Sequence, residues 1–337
     1  MEFGISMRGQ YPAGIDMGAK FDDACEMARI AEKLGYVYLS KGQHYASGPV
    51  QAFQQFPFLT RMMAETTKMK LVTGINLLPL HKPLDIAEQL ATIDVMSKGR
   101  LVFGCGIGYR DVEFKAFGME AKDRGKRFEE NLVAIKRLWT EPVVNMKGSH
   151  FELENASASL QPVQKPSPPV WIGANVDAGI ARAARMADAW FINPHQRMDI
   201  LEGQLVGYKA ALEKAGKTLP STFPMMRECF VARTNEEAVR LARPYLEAKY
   251  KSYHEWGQDK SMAEGDQDLL LSFEQLVDQR FLVGSVENVA EQIVEYRKRL
   301  GITALVVSFQ QLGTPHKQVL DTLQLFAEEV MPAVRKA

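Results

Sequence analysis

The chain opens EFGISM (Glu2–Met7), continues to FDDACEMARIAEKLG (Phe21–Gly35) and runs directly into YVYLS (Tyr36–Ser40). The first and third stretches are short and apolar, as buried strands are. The second has the pattern of an amphipathic helix and stops at a glycine, the residue that most readily ends one. Strand, helix and strand in this order form a βα unit, and such units build parallel sheets.

The alternation recurs. Helices are read at Phe56–Thr66, Leu84–Met96, Arg124–Trp139, Asp177–Met186, Met198–Ala215, Glu236–Tyr253, Val286–Leu300 and Pro315–Val334. Strands are read at Lys70–Leu78, Leu101–Cys105, Val170–Ala174, Ala189–Asn193, Met225–Ala232 and Ile302–Phe309. With the first two, the chain has eight strands in βα order on 337 residues. Against the ~250 residues typical of the fold, this predicts an α/β protein, a (β/α)8 TIM barrel with loop insertions, in place of a doubly wound open sheet. The surplus falls at Asn145–Pro169, polar and proline-rich, and at Lys249–Arg280, strongly charged and without clear periodicity.

Lys plus Arg and Asp plus Glu number 41 each, so no overall field favours a polyanion, and nucleic acid is not an expected partner. The N-terminus lacks a basic flank followed by an apolar segment, and no stretch approaches the ~20 apolar residues of a membrane span. A soluble, cytoplasmic protein is expected. Cys25, Cys105 and Cys229 are odd in number and fit no metal-ligand spacing. They read as core residues of a protein from a reducing compartment.

In such a barrel the working residues follow the strands. His44 is one, and a lone imidazole there has two readings, a catalytic group or an internally satisfied side chain. In GCGIGYR (Gly104–Arg110) the glycines let backbone N–H groups approach a phosphate, but the spacing departs from the dinucleotide fingerprint, and a tight turn explains them equally well. WIGANVDAGIARAA (Trp171–Ala184) sets a Gly-Ala-Asn turn before a helix whose free N–H groups suit an anion, or whose Asn175 or Asp177 simply caps it. TGINLLPLHKP (Thr73–Pro83) ends a strand at a glycine beside a β-branched residue, where a flat ring can lie against backbone; its His81 and Lys82 read either as ligands or, being polar residues before a proline, as the start of a surface helix. The loop Arg8–Ala19 with Phe53, Phe56 and Phe58 reads either as an aromatic pocket rim or as core packing. No carboxylate pair, zinc pattern or G-x-S-x-G elbow stands out, which points to a bound organic cofactor.

Taken together, EFGIS, AEKLGYVYLSKGQHY, TGINLLPLHKPLDIAEQLATIDVMSKGRLVFGCGIGYRDVEFKAFG, RGKRFEENLVAIKRLW, PPVWIGAN, FLVGSVENVAEQI and FAEEVMP resemble the bacterial luciferase-like monooxygenases. That flavin-dependent barrel superfamily also includes alkanesulfonate monooxygenase and deazaflavin-dependent oxidoreductases. The resemblance spans nearly the whole chain and implies one luciferase-like domain over residues 1–337.

In the luciferase pattern the second strand ends Glu-His-His, the first histidine being catalytic. The equivalent positions here, counted from Gly35, are Gln43, His44 and Tyr45, so the resemblance makes His44 the catalytic residue. It also implies a non-proline cis peptide at Gly74–Ile75 beneath the flavin, with Asn76 bonded to the ring edge. Luciferase holds the flavin phosphate with an arginine and a serine where this chain has Ile107 and Val176. The grip is therefore expected from backbone donors at Gly106, Gly108, Gly173, Ala174 and Asn175, joined by Tyr109 and Arg110. The alternative for Arg110 is an ion pair with Glu113 or Glu130.

The activity implied is two-component monooxygenation. Reduced FMN comes from a separate NAD(P)H:flavin reductase, reacts with O2 and, through a flavin hydroperoxide, oxygenates a small organic substrate, with His44 as acid and base. A deazaflavin-dependent hydride-transfer oxidoreductase and a non-catalytic flavin-binding relative are the alternatives. The resemblance further implies a homodimer, and a lid at Lys249–Arg280.

Overall fold

A computed structural model of the chain describes residues 1–337. The barrel strands are β1 (Glu2–Ser6), β2 (Tyr38–Lys41), β3 (Lys70–Thr73), β4 (Leu101–Gly106), β5 (Val170–Ala174), β6 (Ala189–Ile192), β7 (Pro224–Ala232) and β8 (Ala304–Ser308). Each pairs in parallel with the next, and β8 returns to β1. The ring is therefore a closed (β/α)8 barrel, as the sequence indicates.

Alternate side chains of each strand face the inside. Tyr38, Val72, Trp171, Phe191 and Val306 fill the interior, with the Trp171 ring 5.3 Å from Tyr38 and 5.4 Å from Phe191. The residues between them, such as Phe3, Leu39, Leu71 and Phe103, point outward and join the helices in a cluster of 68 buried residues. Toward the C-terminal ends the inward positions become small: Ser6, Ser40 and Gly173. Large rings below and small residues above leave a hollow at that end of the barrel.

Several boundaries differ from the sequence reading. The first helix starts at Met17, because Asp16 accepts from the N–H groups of Gly18 and Ala19 at 2.8 and 3.2 Å and so caps it earlier. The stretch Lys70–Leu78 is two pieces: β3 ends at Thr73, and Asn76–Leu77 resumes pairing against Cys105 and Gly106. The C-terminal helix passes through a π segment at Phe326–Val330, which ends two residues before Pro332, a residue with no N–H to continue the ladder.

The two insertions are ordered. The first contains an antiparallel hairpin, Val144–Lys147 with Glu152–Ala156. In the second, the helix Asn235–Glu255 runs on past Lys249, and a 3-10 turn (Asp259–Ser261) and a short helix (Phe273–Val277) follow. A further strand, Leu282–Ser285, pairs in parallel with Cys229–Ala232, the far half of β7. Its four residues, LVGS, are too short to stand out in the sequence. The three cysteines are buried and free, and no helix is long and apolar enough to cross a membrane.

Closure is tightest at Gly104, where a Cβ would lie 2.0 Å from the Thr73 carbonyl oxygen on β3. Backbone cannot swing aside as a side chain can. Gly104→Ala is expected to destabilise the fold by about 1–3 kcal/mol or more, read as a lowered urea midpoint.

Candidate active site

The hollow is a cavity of about 270 Å3 walled by residues that follow β1, β2, β3, β4, β5 and β6. His44 stands at its side. Its Nδ1 lies 3.0 Å from Glu113 Oε1, an oxygen that also accepts from the Tyr45 N–H at 2.9 Å. Glu113 is fully buried, on a short helix (Asp111–Ala116) that follows the glycine loop. A carboxylate only accepts, so Nδ1 carries the proton and Nε2 is left for the cavity. Tyr109 and Trp256 meet the imidazole edge-on, at 5.9 and 5.5 Å. These contacts fix the ring plane as well as the tautomer.

The Gly74–Ile75 peptide is cis. A Cβ on Gly74 would sit 2.0 Å from Ser40 Oγ, so the backbone itself forms the wall there, with the Ile75 side chain beside it. Gly108, at φ +74°, turns the loop after β4. Gly74, Ile75, Gly108, Tyr109, Gly173, Ala174 and Asn175 all line the cavity.

Three residues expected on the cofactor do not line it. Asn76 is fully buried and donates to the side-chain oxygens of Gln43 (3.2 Å) and Gln55 (3.3 Å). Gly106 lies behind the wall, where a Cβ would strike Ile75 Cδ1 at 2.2 Å; it makes room for Ile75. Arg110 donates to the carbonyls of Tyr45 (2.7 Å) and Ala46 (3.2 Å), sits 3.4 Å from Glu113 and lies 4.3 Å from the Trp256 ring. It takes the structural role, with Glu113 as partner; Glu130 instead binds Ser149. The phenylalanines Phe53, Phe56 and Phe58 are core packing too, while Gln10 and Ala52, from two short antiparallel strands that follow β1 and β2, form that rim.

Other wall residues escaped the sequence reading. Arg124 begins the helix Arg124–Thr140, and Arg182 lies on the helix Asp177–Met186, whose N-terminus opens onto the cavity at Val176. A Cβ on Gly125 would lie 3.2 Å from Arg182 Nη2, so the two helices bring their arginines to one end. Arg182 also pairs with Glu129 at 2.8 Å. Two guanidinium groups beside a helix N-terminus suit a phosphate. The Tyr109 hydroxyl and Asn175 Oδ1 are buried without partners, which leaves hydrogen-bonding capacity in the wall. The residues present therefore fit a flat, phosphate-bearing cofactor.

At the end formed by β1 and β2, Arg8 donates to Glu228 Oε1 (2.6 Å), the Tyr253 hydroxyl (2.7 Å) and Ser308 Oγ (3.1 Å). Lys249 also pairs with Glu228, and burial, with Arg8 nearby, holds its ammonium well below the usual lysine range. His195, whose Nδ1 is 3.1 Å from the Tyr250 hydroxyl, is kept well below the usual imidazole range by burial and then by the surrounding cations. It stays neutral. Tyr253, Gln258, Lys260 and Ser261, from the second insertion, cover the cavity.

Residues 1–304 match the family model described as luciferase-like monooxygenase. The chain is 25% identical over 329 residues to the oxygenase component of flavin-dependent trigonelline monooxygenase from Acinetobacter baylyi, covering 93% of this chain and 89% of that protein. It is 27% identical over 330 residues to the FMNH2-dependent dimethylsulfone monooxygenase of Pseudomonas putida, covering 92% and 87%. Among solved structures, the oxygenating constituent of 3,6-diketocamphane monooxygenase from the CAM plasmid of Pseudomonas putida, in complex with FMN, superposes with a TM-score of 0.81 at 20% identity over 98% of both chains. An F420-dependent secondary alcohol dehydrogenase in complex with an F420-acetone adduct superposes at 0.78, with 19% identity over 99% of both.

Lys41 gives the site a pH signature. Burial, and secondarily Arg8, pushes its ammonium down to about 7, whereas the unfolded chain holds that proton to about 10.4. Between these values the unfolded state binds the extra proton, so stability rises with pH at up to roughly 1.4 kcal/mol per unit. Lys41→Met removes this contribution. Urea midpoints at pH 7, 8 and 9 are expected to show the variant more stable than the wild type at pH 7, with the gap narrowing as pH rises.

Proposed function

The chain belongs to the luciferase-like monooxygenase family, and on that premise we propose that it is the oxygenase component of a two-component system. It takes reduced FMN from a separate NAD(P)H:flavin reductase and uses O2 to oxygenate a small organic substrate. The relatives named FMNH2-dependent and oxygenase component support this reading. The observation that carries it is the Glu113-held His44 beside a cavity whose far end bears Arg124, Arg182 and a helix N-terminus.

Bound in this cavity, reduced FMN would supply the activation of O2 and the transfer of one oxygen atom. The side chains have separate tasks. Arg124, Arg182 and the backbone N–H groups at the start of Asp177–Met186 hold the phosphate, and Ile75 with Gly173 supports the ring. His44 takes up or gives back a proton at Nε2, while Glu113 keeps Nδ1 protonated and steadies the charged form. Tyr253 and Gln258 exclude water from above.

One observation favours a second reading, hydride transfer with a deazaflavin: the F420-dependent dehydrogenase shares the fold. Anaerobic titration with reduced FMN and, in parallel, with the reduced deazaflavin, followed by an oxygen pulse, decides between them. Binding of reduced FMN with rapid oxygen uptake is expected. Binding of the deazaflavin alone, without oxygen uptake, would reverse the conclusion.

Two variants divide the tasks. Arg124→Ala is expected to weaken reduced FMN about tenfold or more while leaving the affinity for riboflavin, which lacks the phosphate, unchanged. His44→Ala is expected to lower substrate oxygenation by about 10²-fold or more, with flavin affinity preserved.

A further inference from the structure

We propose that the end of the cavity formed by β1 and β2 selects a small organic anion, a carboxylate or sulfonate, as the substrate, held at Lys41 and Arg8. This rests on the flavin reading above, which assigns the other end to the cofactor phosphate.

The first observation is the charge of the wall. Arg8, Lys41, Arg124, Arg182 and Lys260 line the cavity, and no Asp or Glu does. Arg124 and Arg182 stand beside the helix N-terminus and belong with the phosphate. Lys260 is exposed at the mouth. Arg8 and Lys41 remain for the other ligand.

The second observation is that these two are short of counter-charge. Glu228, the one carboxylate that Arg8 reaches, is shared with Lys249. Lys41 is 2% exposed and has no carboxylate partner. Its ammonium has three donors, and the protein supplies one acceptor, the Arg8 carbonyl at 2.7 Å. Gly9, at φ +58°, lets the chain pass close over the ammonium, since a Cβ there would already be in van der Waals contact with Nζ at 3.5 Å. The Phe58 ring centroid, 5.5 Å from Nζ, keeps water from one side.

A buried ammonium without a partner is unfavourable, and the empty site relieves this by releasing the proton. A bound carboxylate or sulfonate relieves it by supplying the missing charge and acceptors. A neutral substrate of the same shape leaves Lys41 as it was, so the site discriminates by charge more than by outline.

The test uses benzoate and benzamide, isosteres that differ in charge, titrated anaerobically into the protein loaded with reduced FMN and followed by flavin absorbance. Benzoate is expected to bind at least tenfold more tightly than benzamide. The preference should fall below twofold in Lys41→Met and persist in Lys41→Arg. Equal affinities in the wild type, no binding of benzoate, or an unchanged preference in Lys41→Met would overturn the proposal. So would a loss of reduced FMN affinity in Lys41→Met matching the loss for benzoate, since the cation would then serve the cofactor. If reduced FMN does not bind the wild type, the flavin reading fails by itself. The same pair titrated into the flavin-free protein, followed by tryptophan fluorescence, still decides for or against the anion site.

Discussion

A parallel sheet of eight strands lacks an open edge only if its fourth strand accepts its fifth. Here Val170, Trp171 and Ile172 stand opposite Phe103, Gly104 and Cys105, and the Phe103 N–H donates to the Pro169 carbonyl at 2.8 Å. The connection between them is long enough to hold two helices and a hairpin, so the pairing brings together segments far apart in sequence. Once it forms, the C-terminal ends of all eight strands are drawn into one ring. Tyr38 and Trp171 occupy the lower interior, and the hollow above them follows from side-chain size.

Around that hollow, acidic and basic groups are sorted by depth. Glu113 and Glu228 are both fully buried, and neither lines the cavity. Glu113 holds His44 and Arg110, and Glu228 holds Arg8 and Lys249. Each carboxylate stands behind the wall and fixes groups in front of it or beside it. An isolated buried carboxylate is costly, and here each is compensated by at least two nitrogen donors. The face left toward a ligand is basic, although the chain as a whole carries no net charge.

The barrel was legible because its strands are apolar runs separated by helical periods, and the glycines at or just past the ends of β3, β4 and β5 (Gly74, Gly108 and Gly173) marked where backbone forms the wall. His44 could not be assigned from its position alone; the resemblance singled it out, and Glu113 then explains its orientation. Arg124 and Arg182 were missed because they sit on helices and not at strand ends, and only the packing of two helices against each other brings them together. Asn76 and Arg110 misled for the converse reason: they follow strands, yet local partners turn them away from the cavity. Lys41 did leave a trace, a lysine closing the apolar strand YLSK, and it stands at the cavity edge beside Phe58 and the Arg8 carbonyl.

The segment that covers the cavity leaves from β7 and returns to it. The helix Asn235–Glu255 follows the end of β7, and Leu282–Ser285 pairs back onto Cys229–Ala232, beyond the part of β7 that pairs with β8. Both roots of the cover thus rest on one strand extension outside the ring. The entropic cost of a longer loop grows slowly, by about 0.6 kcal/mol per doubling, and the ladder of the ring does not register the change. The cover is in effect an exchangeable cassette, able to acquire new lengths and side chains over an unaltered scaffold, so ligand preference can diverge while the architecture stays fixed.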